Sequence, residues 1–143
     1  MPRILAVDPG ARRVGLALSD PLGILASPLT VIEGRDEERL VAEIRRVAEA
    51  NEVSLVLVGF PVRDDGYEGD GCRRSRRLYA KLLRAGLRAE LWDESSTTEQ
   101  AYEVTRRHGM DRRGSRRAKD AVAASFILSS YLEARAAERG RDV

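Results

Sequence analysis

Acidic residues stand at three points of the sequence where a carboxylate needs a partner. Asp8 ends an apolar run at residues 4–7, and the pair Asp93 and Glu94 ends another apolar segment. Asp120 interrupts the otherwise apolar face of a helical segment near the C-terminus. Because desolvating an unpaired carboxylate is expensive, such residues need a partner. A divalent metal ion is one such partner and arginine is another, and Mg²⁺ and Mn²⁺ prefer carboxylate oxygens. Two strand ends and one helix start can converge at one end of a sheet, which predicts a divalent-metal site there.

Carboxylates clustered around two metal ions about 4 Å apart are suited to the hydrolysis of phosphodiester bonds. One ion activates the attacking water and the other stabilises the leaving oxygen, so no side-chain nucleophile is needed. A serine-type triad would depend entirely on His108, the only histidine, and no histidine-based zinc site can form. The residues therefore predict a metal-dependent nuclease. Its catalytic residues are Asp8, Asp93, Glu94 and Asp120, and strand alternation lets only one of Asp93 and Glu94 reach the metal.

Each acid also has a purely structural explanation. Asp8 opens the turn-forming sequence Asp-Pro-Gly, and Asp93 or Glu94 could cap the element that follows. Asp120 lies in the first turn of a helix, where a negative charge is favourable. Asp120 nevertheless shares its face with apolar residues at 124, 127, 128 and 131, so this face is expected to pack on the sheet. The small Ala124 on this face would let the helix approach closely, and the joint placement of the acids favours the metal site.

Basic residues are concentrated next to the last of these acids. Residues 106–119 carry seven Lys or Arg and one Asp, and arginine contacts to phosphates could deliver a nucleic-acid strand to the metals. A solvated loop explains the cluster equally well. Only Lys81 and Lys119 among the 25 basic residues are lysine, and a GC-rich genome would also produce that bias. The predicted nucleic-acid-binding residues are Arg12, Arg13, Arg73, Arg76, Arg112, Arg113, Arg116, Arg117 and Lys119.

Hydrophobic periodicity predicts the elements that must position these side chains. Apolar runs at residues 4–7, 14–18, 29–32, 55–58 and 87–92 indicate five strands, and helical segments are expected near 40–48, 74–84, 96–109 and 119–137. Three successive strands followed by strand–helix alternation predict an α/β fold with a mixed sheet. The length suits one domain at 1–137 with a frayed tail at 138–143. The lack of a membrane-length apolar run or signal-peptide pattern, with only one cysteine, predicts a cytoplasmic protein.

An ordered set of short motifs runs through nearly the whole chain. It comprises Asp8-Pro9-Gly10, Val14-Gly15-Leu16-Ala17-Leu18-Ser19-Asp20, Pro28, Val58-Gly59-Phe60-Pro61 with Asp65-Gly66, Asp93-Glu94 with Thr97-Thr98 and Ala101, Asp120-Ala121-Val122-Ala123-Ala124, and Ile127-Leu128-Ser129-Ser130-Tyr131-Leu132. In this order the motifs resemble the YqgF/RuvX family, the RNase H-like relatives of the Holliday-junction resolvase RuvC. The resemblance implies an RNase H-like fold with a five-stranded mixed sheet of three antiparallel and two parallel strands, and helices on both faces. It also implies Mg²⁺ or Mn²⁺ bound by Asp8, the Asp93-Glu94 pair and Asp120, and it favours Glu94 over Asp93 as the ligand.

The resemblance further implies a nucleic-acid substrate. Maturation of the 5′ end of pre-16S ribosomal RNA is the expected role, with resolution of branched DNA as the competing one and a homodimer expected for a four-way junction. Two alternatives to a nuclease stay open. The first is a non-catalytic nucleic-acid-binding factor in ribosome assembly. The second is an actin-like ATPase, although 143 residues leave no room for the second lobe of an ATPase. The chain departs from the family at Ser95 and Ser96, where Arg and Leu are usual, and at Lys119, where an apolar residue is usual. A phosphate contact is therefore expected to be absent at Ser95.

Overall fold

The structure is a computed structural model that describes residues 3–61, 69–93 and 115–141; at 115–118 and 141 it describes the backbone alone. The strands are β1 (Arg3–Pro9), β2 (Arg13–Ser19), β3 (Ala26–Glu33), β4 (Val53–Phe60) and β5 (Ala89–Asp93). The helices are α1 (Glu37–Ala50), α2 (Asp70–Arg84) and α3 (Ser115–Arg141). The helix expected at 96–109 lies outside the described residues.

The five strands form one mixed sheet in the order β3-β2-β1-β4-β5. The first three strands make an antiparallel meander, while β4 lies parallel to β1 and β5 parallel to β4. Crossovers between parallel strands need an intervening helix, and α1 and α2 fill that role. The predicted α/β fold, with three antiparallel and two parallel strands and helices on both faces, is confirmed.

The sheet separates two hydrophobic cores, because successive side chains of a strand point to opposite faces. On one face, α1 and α2 cover Leu5 and Val7 of β1 together with the corresponding residues of β2 and β4. On the other face, α3 covers Ile4 and Ala6 of β1. The residues that α3 contributes to this second core are Ala124, Ile127, Leu128, Tyr131 and Leu132. The apolar face predicted for the last helix is therefore confirmed.

Polar contacts fix α2 to the carboxyl end of β4. The buried Ser75 hydroxyl donates to the carbonyl of Gly59 at 2.7 Å, and the Cys72 thiol donates to the carbonyl of Pro61 at 2.6 Å. Both acceptors are at or just beyond the end of the strand. This end of the sheet therefore has a backbone whose position is set by hydrogen bonds from the neighbouring helix.

The last helix is longer than the sequence predicts. It extends from Ser115 to Arg141, whereas a helix over about 119–137 was expected. The reason is local, since alanine, glutamate and arginine at 136–139 are all strong helix formers and only Gly140 opposes them. Among the described residues, no helix is both long enough and apolar enough to cross a membrane.

Candidate active site

Asp8 lies near the carboxyl end of β1, on the face of the sheet that α3 covers. In β1, Ile4 and Ala6 pack beneath α3, and Asp8 continues the same alternation. The antiparallel register pairs Asp8 with Gly15 of β2. Residues directly opposite each other have Cα atoms about 5 Å apart, and their side chains share a face. The carboxylate of Asp8 is thus placed next to a residue that has no side chain.

Helix α3 uses that missing side chain to approach the sheet. A Cβ at Gly15 would collide with the carbonyl of Asp120 and would stand 2.9 Å from the amide nitrogen of Ala121. A glycine within a strand often marks the close approach of another backbone, and it does so here. Ala124, one turn further along α3, is fully buried. The chain therefore brings Asp120 to the level of Asp8 through a direct contact between the α3 backbone and β2.

The carboxylate of Asp120 has one oxygen to which no described residue donates a hydrogen bond. Its side chain is 32% exposed overall, but that oxygen, Oδ2, is buried. The Arg13 Nε atom lies 3.1 Å from Oδ2, which is close enough for an ion pair. The contact is nevertheless not a hydrogen bond, because the Arg13 N–H is not directed at the oxygen. Arg13 supplies charge while the lone pairs of Oδ2 stay available.

This donor set fits a hard divalent cation. Arg13 supplies charge to the buried oxygen but leaves its lone pairs without a hydrogen bond, and Mg²⁺ and Mn²⁺ favour such oxygens. Within residues 3–61, 69–93 and 115–141, no three acidic, histidine or cysteine side chains come together as a metal group. Of the predicted ligands, the described part of the chain therefore shows only Asp8 and Asp120 on this face, and no third described acid joins them.

The alternation of β5 distinguishes the two acids at the end of that strand. Trp92 donates from its indole nitrogen to Ser130 of α3 at 3.1 Å, so residues of even number face α3. Ala89 and Leu91 pack instead in the core beneath α1 and α2. Asp93 follows the same alternation as Ala89 and Leu91, so it belongs to their face of β5, and it is exposed. Glu94 lies outside the described residues, and in the sequence it has the parity of Trp92.

The basic residues predicted from the sequence divide into two described groups. Arg12 and Lys119 are exposed next to the acids, and Arg13 pairs with Asp120. On α2, Arg73 lies 3.5 Å from Asp70, and the Arg76 guanidinium stacks 4.7 Å from the Phe60 ring centre. Arg112 and Arg113 lie outside the described residues, as do the side chains of Arg116 and Arg117, whose backbones form the first turn of α3.

Comparison with known proteins identifies the family. A model of the family RuvX, described as Holliday junction resolvase, matches residues 2–134. The chain belongs to the RuvX family. Two relatives carry the name "Putative pre-16S rRNA nuclease". The one from Syntrophus aciditrophicus is 38% identical over 96% of this chain and 92% of its own. The one from Lachnospira eligens is 37% identical over 93% of this chain and 98% of its own.

Solved structures support the fold of this RuvX chain independently of sequence. Thermus thermophilus RuvC in complex with a Holliday junction substrate matches with a TM-score of 0.62 at 14% identity, over 94% of this chain and 97% of that one. The large terminase nuclease of the thermophilic phage G20c matches with a TM-score of 0.54 at 14% identity, over 91% and 81% of the two chains. At these identities the likeness establishes the RNase H-like fold alone.

Two features of the RuvX site were missed by sequence reasoning. Gly15 was noted only as part of a family motif, although a glycine inside an apolar strand is itself a signal of close backbone approach. Arg13 was assigned to nucleic-acid binding, and no sequence pattern linked it to Asp120, more than a hundred positions away. Only the crossing of α3 over β2 brings the two together.

Proposed function

We propose that this protein is a metal-dependent nuclease that hydrolyses phosphodiester bonds, with Asp8, Glu94 and Asp120 as the ligands of Mg²⁺ or Mn²⁺. The observation that carries the proposal is the buried Oδ2 of Asp120, which accepts no hydrogen bond from the described residues and belongs to the residue packed on the glycine opposite Asp8. Family membership supports the nuclease class, and the sequence parity of Glu94 supports its choice over Asp93. In this proposal Asp93 is not a ligand of the metal.

Each residue of the site has a definite task in this proposal. One bound divalent ion would lower the pKa of the attacking water, and a second would polarise the phosphate. Asp8 and Asp120 are fixed in position, one by its strand and the other by the contact of α3 with Gly15. Arg13 holds a positive charge 3.1 Å from Asp120, where it offsets the repulsion between the two carboxylates. Its remaining N–H donors are suited to the phosphate oxygens of the substrate.

The substrate is proposed from the relatives and from the charge of the surface. Relatives named as pre-16S rRNA nucleases cover nearly the whole chain, and this favours maturation of the 5′ end of pre-16S rRNA, in the cytoplasm. Arg12 and Lys119 flank the acids and would hold the phosphates on either side of the cleaved bond. Arg73 and Arg76 on α2, with the arginines at 112, 113, 116 and 117, would extend the track.

A second candidate is the resolution of four-way DNA junctions. It is favoured by the description of the family and by the match of the fold to RuvC over 94% of the chain. A junction must be cut on two strands, so this candidate requires a homodimer. Arginine–phosphate contacts do not discriminate between the candidates, because RNA and DNA share the phosphates.

The test is a cleavage assay with a pre-16S RNA 5′ fragment and a four-way DNA junction, each with Mg²⁺, Mn²⁺ or a chelator. Asp8→Asn should abolish cleavage while preserving the fold and substrate binding. Asp36→Asn is the matched control, because Asp36 caps α1 and asparagine caps equally well. Undiminished cleavage by Asp8→Asn would overturn the proposal. Binding by the wild-type protein without cleavage of either substrate would instead identify a non-catalytic binding factor.

A further inference from the structure

A small basic pocket lies at the same end of the sheet as the acids, on the opposite face. It has a volume of about 200 Å³ and forms where the turn between β1 and β2 meets the junction of β3 with α1 and one side of α2. The described residues of its wall that matter here are Gly10, Gly34, Arg35, Glu37, Arg74 and Arg77. None of them belongs to the metal site proposed above.

The pocket carries more positive than negative charge. Arg77 lies 3.1 Å from an oxygen of Glu37, whose other oxygen is 2.8 Å from Lys81. The pKa of Glu37 is lowered, first by the hydrogen bond from Lys81. Glu37 is therefore ionised and fully engaged. Arg35 and Arg74 form no ion pair with any described residue, so within that part of the chain two guanidinium groups at the pocket remain unneutralised.

Two glycines, Gly10 and Gly34, lie in the wall of the pocket beside the apolar residues Val14, Leu40 and Leu78. The amide of Gly34 donates to the carbonyl of Arg12 at 2.9 Å and so ties the β3–α1 junction to the β1–β2 turn. A Cβ at Gly34 would stand 2.8 Å from a methyl group of Val14 and 3.4 Å from the carbonyl of Gly10. This close packing fixes the shape of the pocket, because Gly34 has no room for a side chain of its own.

The size and charge of the pocket select its ligand. Sites for whole small molecules usually occupy about 300–1,000 Å³, so a pocket of this volume holds a single compact group. Guanidinium groups match the oxygens of phosphate in a bidentate manner and are weakly hydrated. Two arginines that no described acid neutralises, at a pocket of this size, therefore suit a phosphate group.

We infer that this pocket binds a phosphate of the nucleic-acid strand, next to the phosphate that is cleaved. Gly10 is two residues beyond Asp8, so their Cα atoms are at most about 7 Å apart. Successive phosphates rise about 3.4 Å along one strand, so a strand seated at Asp8 places another phosphate within this span. The strand then passes over the β1–β2 turn from one face of the sheet to the other. This inference rests on the proposed function for its substrate, and its ligand is either an internal phosphate or a 5′-terminal one.

The experiment measures binding rather than cleavage. Arg74→Gln and Arg35→Gln are compared with Arg84→Gln, which removes an exposed arginine from the same helix about 15 Å beyond Arg74. Affinity for a single-stranded oligonucleotide is measured in a chelator at several salt concentrations, once with a 5′-phosphate and once with a 5′-hydroxyl. Urea denaturation confirms that each variant is folded.

The pocket variants should bind about tenfold more weakly than wild type, as expected when a charge-assisted hydrogen bond is removed. The slope of log K against log salt should become shallower by about 0.7 for each phosphate that the variant no longer binds, whereas Arg84→Gln should follow wild type. An equal weakening with both oligonucleotides identifies an internal phosphate, and a weakening confined to the 5′-phosphorylated one identifies the terminal phosphate.

Equal behaviour of Arg74→Gln, Arg35→Gln and Arg84→Gln would overturn the inference, and so would failure of the wild-type protein to bind either oligonucleotide. Because no metal is present, these outcomes are independent of the cleavage assay. A protein that shows the slope change without cleaving any substrate would contradict the nuclease proposal alone.

Discussion

Replacing Gly15 by alanine adds one methyl group at the point where α3 crosses β2. The new Cβ would collide with the carbonyl of Asp120 and stand 2.9 Å from the amide nitrogen of Ala121. Ordinary van der Waals contact begins at 3.4 Å, so the second contact alone requires the helix to retreat by about half an ångström. The carbonyl contact requires a larger movement, because it is the closer of the two.

The size of the effect follows from that displacement. A gap of 0.5–1 Å already forfeits about a quarter to a half of the dispersion attraction between packed surfaces, and the carbonyl contact requires at least that movement. Methyl groups forced into a packed core usually cost about 1–3 kcal/mol, whereas glycine to alanine in an unhindered strand would stabilise by about 0.5–1 kcal/mol. We therefore expect a net loss of about 1–3 kcal/mol in the free energy of unfolding. Misplacing a catalytic group by about 1 Å can cost about 100-fold in rate, so cleavage should fall by about that factor.

Urea denaturation and the cleavage assay measure the two effects separately. Gly140→Ala is the matched control, because a Cβ at Gly140 in α3 meets nothing within 4 Å. It should leave cleavage unchanged and stabilise the protein by up to about 1 kcal/mol. If Gly15→Ala is as stable and as active as wild type, then close backbone approach does not position Asp120, and the explanation of the site is wrong.

Three further predictions concern other parts of the fold. Ser75→Ala removes the buried hydrogen bond to the Gly59 carbonyl, so unfolding in urea should show a loss of about 1–3 kcal/mol. The pKa of Glu37 lies below its usual 4.5 because Lys81 hydrogen-bonds to the carboxylate. Ionised Glu37 therefore stabilises the fold by about 1 kcal/mol or less above pH 4.5, and this stabilisation disappears as the pH falls below 4.5. Glu37→Gln should remove this pH-dependent stabilisation. Burial raises the pKa of Tyr131 above its usual 10.0, so its phenol should ionise late in an ultraviolet titration, and folding should weaken as the pH rises through 10.

Each of these has a control within the chain. Ser54→Ala changes an exposed serine and should alter stability little. Glu43→Gln removes an exposed carboxylate paired within α1 by Arg46, so it should spare the contact between α1 and α2. The reasoning is contradicted if Ser75→Ala is as stable as Ser54→Ala, or if Glu37→Gln keeps the acid sensitivity of the wild-type protein. Tyr131→Phe should remove the latest step of the phenol titration, and its persistence would refute the assignment.

The sheet could be predicted from the sequence because its signals are local. Continuous apolar runs indicate strands covered on both faces, and β1 and β4 are such strands. The change from strand spacing to helical spacing after β3 predicted α1. The apolar face of α3 likewise predicted which residues contact the sheet.

The site itself depends on contacts between distant parts of the chain, and sequence patterns do not report those. Asp8 and Asp120 were both identified as acids in need of a partner, but nothing in the sequence showed that Gly15, which pairs with Asp8, also contacts the backbone of Asp120. The pairing of Arg13 with Asp120 was missed for the same reason. Alternation alone could not say which helix layer each face of β5 meets, whereas the packing of Trp92 and Leu91 shows it. The choice between Asp93 and Glu94 as a ligand stays a prediction.

The crossing of α3 over β2 also sets the order in which the site can form during synthesis. Asp8 emerges early with β1, whereas Asp120 belongs to the last element of the chain, and domains fold from the N-terminal side as they are made. Until α3 docks, one side of the nascent sheet lacks the cover that α3 provides, and Asp120 is not yet beside β2. A product terminated before residue 115 would therefore lack Asp120, and any chemistry that needs Asp8 and Asp120 together begins only after α3 has been made.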